Sequence, residues 1–398
     1  MDKTTDNKTS DGNIVVTPYD VEGLGDDSKY QRLVDKFGCQ NITPDQSERI
    51  EKLTGKKVPL LLRREKFFAH RDLDKLLDHY EKGGKFYLYT GRGPSSDSMH
   101  LGHIIPFLFT KQLQDLFDVP VIIQITDDEK FYFKDLSLED TARMSHENIK
   151  DIISFGFDPN KTFIFRNTQY MGHLYPTVVE INKRVTLNTA LGSFGFEGSA
   201  NLGMIGFSSI QAAPSFGSCF REIFNIKPGE EKDIMCLIPC AIDQDPYFRL
   251  TRDIAPRMKL PKPALLLSKF APSLGGIHTK MSSSVPLSTI FLSDSNKTIK
   301  KKINKSFSGG KEFLEDHRKY GGNTTVDIPY QLLCYFLDDD QKLDQIKNNY
   351  ENGTLLSGEM KKECFECVGP LIGDIRERRK EVKDEDVVLF CQLRPISL

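Results

Sequence analysis

Between residues 86 and 268 the sequence returns repeatedly to short runs that are apolar on both faces. They are Phe86-Tyr-Leu-Tyr-Thr, Val119-Pro-Val-Ile-Ile-Gln-Ile-Thr, Thr162-Phe-Ile-Phe, Ile234-Met-Cys-Leu-Ile-Pro and Ala264-Leu-Leu-Leu-Ser. A strand without a polar alternate has no face to give to water, so it belongs inside a sheet covered on both sides. Stretches with helical spacing separate the runs, Leu136 to Phe155 among them. Strands alternating with helices predict an α/β fold, a doubly wound parallel sheet of Rossmann type. Such sheets bind ligands in the loops beyond the carboxyl ends of their strands.

Outside this region the character changes. Beyond Val285 no apolar strand recurs, and helical patterns cover Ile290–Asn304, Pro329–Leu337, Asp340–Tyr350 and Ser357–Arg379. We therefore expect a catalytic domain over 81–289 and an all-helical domain over 290–380. The segment Asp386-Val-Val-Leu-Phe-Cys-Gln, within 381–398, is expected to be a short helix packing back on the first domain. Residues 13–80 read as an N-terminal extension, with a short strand at Asn13-Ile-Val-Val-Thr and an amphipathic helix from Phe67 to Tyr80. Residues 1–12 are polar without apolar periodicity, which predicts a disordered tail.

The formal net charge is -2, so a nucleic-acid partner would be held by a local patch, not by global charge. No apolar run reaches the length of about 18 residues that a membrane helix needs. The polar N-terminus lacks the apolar centre of a signal peptide, and the expected location is cytoplasmic. The eight cysteines then read as reduced thiols. Cys364 and Cys367, three apart on a helix, read as core thiols; no second pair or nearby histidine suggests a metal site. The chain contains no tryptophan.

Two loops carry chemistry. Thr90-Gly-Arg-Gly-Pro-Ser-Ser leads into a helix, capped by Asp97 or Ser98 and running to about Phe117, that carries His100-Leu-Gly-His103. Glycines allow close backbone approach to a ligand, and a helix N-terminus offers N–H groups to an anion. The two histidines share a face and can donate to phosphate oxygens, while Gly102 leaves room for a flat base or ribose. Lys280-Met-Ser-Ser-Ser follows the last strand and the flexible Gly275-Gly-Ile-His-Thr. A lysine on a mobile loop can swing onto a leaving pyrophosphate, and serine hydroxyls add donors. Either motif alone reads equally as surface histidines or a solvated Ser-rich loop; together, in this order, they describe ATP cleaved between its α- and β-phosphates.

These residues resemble class I aminoacyl-tRNA synthetases, with their His-x-Gly-His and Lys-Met-Ser-Lys-Ser signatures. Ser283 departs from the pattern, standing where many members have a second lysine, so Lys280 is the loop's only cation. The stretches Tyr89-Thr-Gly-Arg-Gly-Pro-Ser-Ser, Val121-Ile-Ile-Gln-Ile-Thr-Asp-Asp-Glu-Lys, Ile210-Gln-Ala-Ala-Pro-Ser-Phe and Ala241-Ile-Asp-Gln-Asp-Pro-Tyr-Phe are similar to the eukaryotic cytosolic tryptophanyl-tRNA synthetases. Pro261-Lys-Pro-Ala-Leu-Leu and Phe307-Ser-Gly-Gly-Lys extend the likeness, which covers nearly everything from about Thr54 onward.

The resemblance implies a ligase that joins tryptophan to its tRNA through a tryptophanyl-adenylate, using ATP with Mg²⁺ on the phosphates. His100, His103, Lys280, Ser282 and Ser284 would be catalytic. Thr90, Gly91, Arg92, Gly93, Gly102, Lys130, Met281 and Ser283 would contact ATP. Tyr89 and Gln124 match positions that bond the indole N–H; Glu129, Gln211 and Gln244 match those that orient the ammonium and carboxylate; Phe248 matches a ring lining the side-chain pocket. No metal-ligand cluster is expected of the protein itself.

The run from Asn296 to Lys305 has five lysines and no acid. Lys300, Lys301 and Lys302, with Arg378 and Arg379 at the far end of the helical region, are the expected tRNA contacts, weighed against a merely solvated helix face. The family also implies a homodimer. Rival readings are a tyrosyl-tRNA synthetase, which would want a carboxylate near Gln124 for the phenol, a small nucleotidyltransferase, which would lack the helical domain, and a catalytically silent relative, which would have lost His100, His103 or Lys280.

Overall fold

The computed structural model describes residues 15–16, 21–22, 27–281 and 285–398. The tail expected over 1–12 lies outside them, as do Ser282, Ser283 and Ser284. Val15–Val16 (β1) and Val21–Glu22 (β2) pair antiparallel, so the strand expected near Asn13 is present in part.

The apolar runs become β5 (Lys85–Arg92), β6 (Val121–Ile125), β7 (Thr162–Arg166), β8 (Ile234–Ala241) and β9 (Ala264–Ser268), all parallel to one another. Two further strands, β3 (Gln40–Asn41) and β4 (Phe67–Arg71), complete a seven-stranded sheet in the order β3-β4-β9-β8-β5-β6-β7. The strand order reverses between β5 and β8, which opens a crevice at their carboxyl ends.

Alternation along β5 sorts its side chains to two faces. Phe86 and Leu88 join Ile123, Ile164 and Leu266 in one apolar cluster; Tyr87 and Tyr89 join Ile122, Phe163, Ile238 and Leu265 in the other. Helices Leu101–Phe117 and Leu138–Ser154 cover the first face, and helices Asn167–Asn182 and Asp245–Ile254 the second. The first cluster continues without a break into the helical region through Ile299, Ile303, Leu332, Cys364 and Ile372.

Three boundaries differ from expectation. Phe67–Tyr80 is not one helix: Phe67–Arg71 is β4, antiparallel to β9, and the helix Leu73–Glu81 starts only after Asp72 turns the chain at φ 52°. The helix expected from Asp97 or Ser98 begins at Leu101, because Met99 to Leu101 pair instead with residues 290–292. Leu101 N donates to Ile290 O at 3.0 Å and Leu292 N to Met99 O at 2.9 Å. The next helix accordingly starts at Asn296, capped by Ser295, rather than at Ile290. A helix at Leu314–Tyr320 had no clear signal in the sequence. Pro272–Ser273 (β10) and Gly276–Lys280 (β11) form a hairpin after β9 that delivers the chain to the second motif.

The other helices run Ile328–Phe336, Asp340–Glu351 and Ser357–Glu381, close to their expected bounds. The final helix, Asp384–Cys391, leads to a tail tied to the sheet region: Ile396 N donates to Ile223 O at 2.7 Å. All eight cysteines are free thiols, and Cys364 is fully buried. No described helix is long and apolar enough to cross a membrane.

Candidate active site

A cavity of about 340 Å³ opens where the sheet order reverses. Most of the expected residues line it, from strand ends and helix termini. Thr90 to Gly93 come from the end of β5, Glu129 and Lys130 follow β6, Gln244 and Phe248 follow β8, Gln211 comes from the helix Leu202–Ala212, and His100, Gly102 and His103 come from the helix start. Met281, just past β11, closes one side. The backbone of Lys280 ends β11.

The histidine end is built by backbone pairing. His100 occupies the N-cap position with φ -114°, and the rings of His100 and His103 stack with centroids 3.7 Å apart. The edge of Phe291 meets the His100 ring at 5.9 Å. A Cβ on Gly102 would lie 3.1 Å from the His100 ring and 3.4 Å from the Met281 sulfur, so glycine keeps this wall open.

Arg92 supplies fixed positive charge. It is buried, its Nε donates to Asn148 Oδ1 at 3.0 Å, and its Nη2 has no hydrogen-bond partner among the described residues. Burial pushes its pKa down to about 10, so the guanidinium stays charged at neutral pH. A buried cationic N–H without a partner at a cavity wall favours an anionic oxygen there.

Beside this charge stands a set of acceptors. Glu129 is steered by Thr126, whose hydroxyl donates to Oε2 at 2.8 Å, and by Lys130, 2.7 Å from Oε1. A Cβ on Gly93 would sit 2.1 Å from Glu129 Oε2, so only glycine admits this carboxylate. Tyr89 and Gln124 do not line the cavity but stand buried behind it. The Tyr89 hydroxyl lies 2.5 Å from Gln124 Oε1 and 2.9 Å from Gln211 O, and Phe248 meets the Tyr89 ring edge-on at 6.0 Å. Burial holds the Tyr89 phenol well above its ordinary pKa, so its proton is available to these acceptors. With that proton committed, the phenol oxygen offers lone pairs to a ligand donor.

The family described as tRNA synthetases class I (W and Y) matches residues 81–193 and 231–369. The chain belongs to that family. It is 56% identical to the cytoplasmic tryptophan–tRNA ligase of Schizosaccharomyces pombe over 384 residues, which is 94% of this chain and 96% of that protein. With the corresponding human ligase the identity is 53% over 372 residues, 92% and 78% of the two chains. A product-bound parasite tRNA synthetase superposes with a TM-score of 0.87 at 48% identity, covering 93% of this chain and 97% of that one. The Plasmodium falciparum tryptophanyl-tRNA synthetase gives 0.84 at 48% identity, covering 91% and 95%.

Not every residue expected to touch nucleic acid is free in this synthetase. Lys302 is buried, with Nζ 2.6 Å from Asp294 Oδ2 and set over the Phe291 ring. It holds up the 290–294 segment beside His100, and its ammonium is not free for a phosphate. Arg379 pairs with Glu147 at 2.6 Å and with Asp151 at 2.9 Å, so it braces the interior. Arg378 is exposed but gives its Nε to Ser154 O. Lys300 and Lys301 are exposed. Several site residues gave no usable signal: Thr126, Asn148, Asn167 and Asp128. The adjacent acids Asp127-Asp128 at a strand end were the one available hint.

Proposed function

We infer that this synthetase activates tryptophan with ATP and then transfers the tryptophanyl group to the 3′ end of its tRNA. The tryptophan carboxylate attacks the α-phosphorus, the α–β phosphoanhydride bond breaks, and pyrophosphate leaves. The terminal tRNA hydroxyl then attacks the adenylate carbonyl, loses its proton, and AMP departs. The observation that carries this reading is one cavity lined by Arg92, His100 and His103 and by Glu129, Gln211 and Gln244, with the buried Tyr89 and Gln124 behind it.

Little covalent chemistry falls to the protein, which aligns reactants and meets developing charge. Arg92, His100 and His103 face the phosphates, and Lys280 with Ser282 and Ser284 reaches the leaving pyrophosphate. Thr90, Gly91, Gly93, Gly102, Met281 and Ser283 shape the nucleotide's bed. Glu129 takes the substrate ammonium in exchange for Lys130, and Lys130 turns toward the phosphates. Gln211 and Gln244 hold the amino-acid head group, while Tyr89 and Gln124 accept the indole N–H beside Phe248. Among the described residues no cluster of three metal-ligating side chains exists. Mg²⁺ held by the ATP phosphates themselves would neutralise part of their charge.

The helical region over 290–380 is the tRNA-binding part in this reading. Lys300 and Lys301 meet the backbone, and the exposed rings of Phe307, Phe313 and Tyr320 offer stacking surfaces for unpaired bases. The exposed apolar side chains Tyr175, Val179, Leu187 and Leu202, the first two on one helix face, suit a second copy of the chain in a homodimer. Named cytoplasmic relatives support a cytoplasmic location.

ATP–pyrophosphate exchange with tryptophan and tyrosine in parallel, without tRNA, tests the reading. Exchange with tryptophan alone is expected. Exchange with tyrosine overturns the roles of Tyr89 and Gln124, and exchange with neither overturns the phosphate assignments.

A further inference from the structure

A line of buried amides leads away from the indole end of the cavity. Gln124 Nε2 donates to Asn167 Oδ1 at 2.8 Å and to Ile210 O at 3.3 Å. Asn167 Nδ2 in turn donates to Asp128 Oδ1 at 2.8 Å. Gln124 and Asn167 are wholly buried and Asp128 nearly so. The line therefore runs Asp128, Asn167, Gln124, Tyr89, from three separate segments of the chain.

An amide side chain is ambiguous: rotated by half a turn, it exchanges its donor for its acceptor. A carboxylate is not, because when ionised it only accepts. Asp128 therefore draws the NH₂ of Asn167, which turns the Asn167 oxygen toward Gln124. That oxygen draws the NH₂ of Gln124, which turns Oε1 toward the Tyr89 hydroxyl. Were the Gln124 amide reversed, its NH₂ would face the Tyr89 oxygen and compete with a ligand N–H for the lone pairs there.

We propose that Asp128, acting through Asn167, fixes the Gln124 amide so that the end of the pocket accepts a hydrogen bond and selects tryptophan by its indole N–H. Asp128 is a positioning residue, absent from the cavity lining. Burial raises its pKa to about 6, which leaves it mostly ionised at neutral pH. Its neighbour Asp127 has a different task, accepting from the backbone N–H of Thr168 at 3.1 Å and from the Thr168 hydroxyl at the start of the next helix. The proposal rests on the assignment of Tyr89 and Gln124 to the indole.

The test compares kcat/KM in pyrophosphate exchange for tryptophan and for benzothienylalanine, in which sulfur replaces the indole N–H. Asp128→Asn removes the compulsion on the relay, and we expect the ratio of the two to fall about tenfold, the difference between a charge-assisted and a neutral bond. The fall comes from tryptophan, with the sulfur analogue little changed. The exchanged pair, Asp128→Asn with Asn167→Asp, again gives Gln124 an acceptor-only partner and restores the ratio. Should Asp128→Asn fold poorly, Asn167→Ala serves in its place with the same expected fall. Because the chain has no tryptophan of its own, ligand fluorescence reports tryptophan affinity in each variant independently of turnover.

A purely structural role for Asp128 would lower both substrates together and leave the exchanged pair unable to restore the ratio; that result overturns the proposal. Gln124→Ala separates the two layers of the argument. If it lowers the ratio while Asp128→Asn does not, the relay is wrong and the pocket assignment stands. If Gln124→Ala leaves the ratio unchanged, the pocket assignment itself fails, and the relay with it.

Discussion

The two ends of the cavity are held in opposite ways. The end proposed for the indole hangs on strand termini deep in the sheet, and its polar groups answer one another within hydrogen-bond distance: Tyr89, Gln124, Asn167, Asp128. The end proposed for the phosphates is assembled from parts distant in sequence. His100 is held by backbone pairing to 290–292, Met99 N is anchored to Asp151 at 3.1 Å, and Asp151 is in turn gripped by Arg379 from the long helix Ser357–Glu381. Selecting a side chain demands a rigid, fully satisfied wall. Following phosphates through bond cleavage demands donors that strengthen contact as charge moves. One end is built for standing still, the other for being adjusted.

The contrast breaks most visibly at His103. His103→Ala should lower the exchange rate by about 10²-fold or more, while tryptophan affinity, read by fluorescence, stays unchanged. Loss of affinity as well would mean the two ends are not separable. Gly93→Ala probes the other side. The new Cβ displaces Glu129, so we expect the KM for tryptophan to rise about tenfold, a loss of about 1.4 kcal/mol, with a smaller rise in the KM for ATP. A rise in the ATP constant alone would move Glu129 to the phosphate end.

Arg379→Met tests the brace. It leaves the buried Asp151 without its cationic partner, and unfolding free energy should drop by about 1–3 kcal/mol in denaturant titrations. The pH dependence carries a sign. Burial raises the folded-state pKa of Asp151 to about 6, above its ordinary value, so its favourable share of stability is present at acid pH and is lost as pH rises through about 6. Asp151→Asn should flatten that descent; an unaltered slope would refute the assignment. Smallest is the effect of Lys300→Ala with Lys301→Ala. The tRNA KM should rise severalfold, with the salt slope reduced by one to two (about 0.7–0.9 per lost contact), and adenylation untouched. Equal losses in both steps would place these lysines in the fold rather than on the tRNA.

The sequence made the central sheet legible because its strands are apolar on both faces, a pattern few other arrangements tolerate. It hid β4 because Phe68, Leu73, Leu76, Leu77 and Tyr80 fall at helical spacing across a strand and a helix, and only the turn at Asp72 separates them. The start of the histidine helix was misplaced for a different reason: local capping chemistry favoured Asp97 or Ser98, and a long-range pairing with Ile290 and Leu292 overrode it. Among the expected site residues, Thr90 to Gly93, His100, Gly102 and His103 come together around one cavity. Lys302 was misread because a run of lysines gives no sense of rotation, and the helix turns that one inward beside Ile299 and Ile303. Asn167 and Asp128 act only through partners from other segments, and no local pattern encodes such a meeting.

The apolar cluster that passes from the sheet into the helical region limits how such a chain can be rearranged. Two lobes joined by a linker can be exchanged like cartridges, each keeping its own interior. Here a cut near residue 290 would divide that cluster and expose apolar side chains on both pieces. A chimaera that imported a foreign tRNA-reading half would therefore have to import its seam as well, and heating the intact chain should melt both halves in one transition.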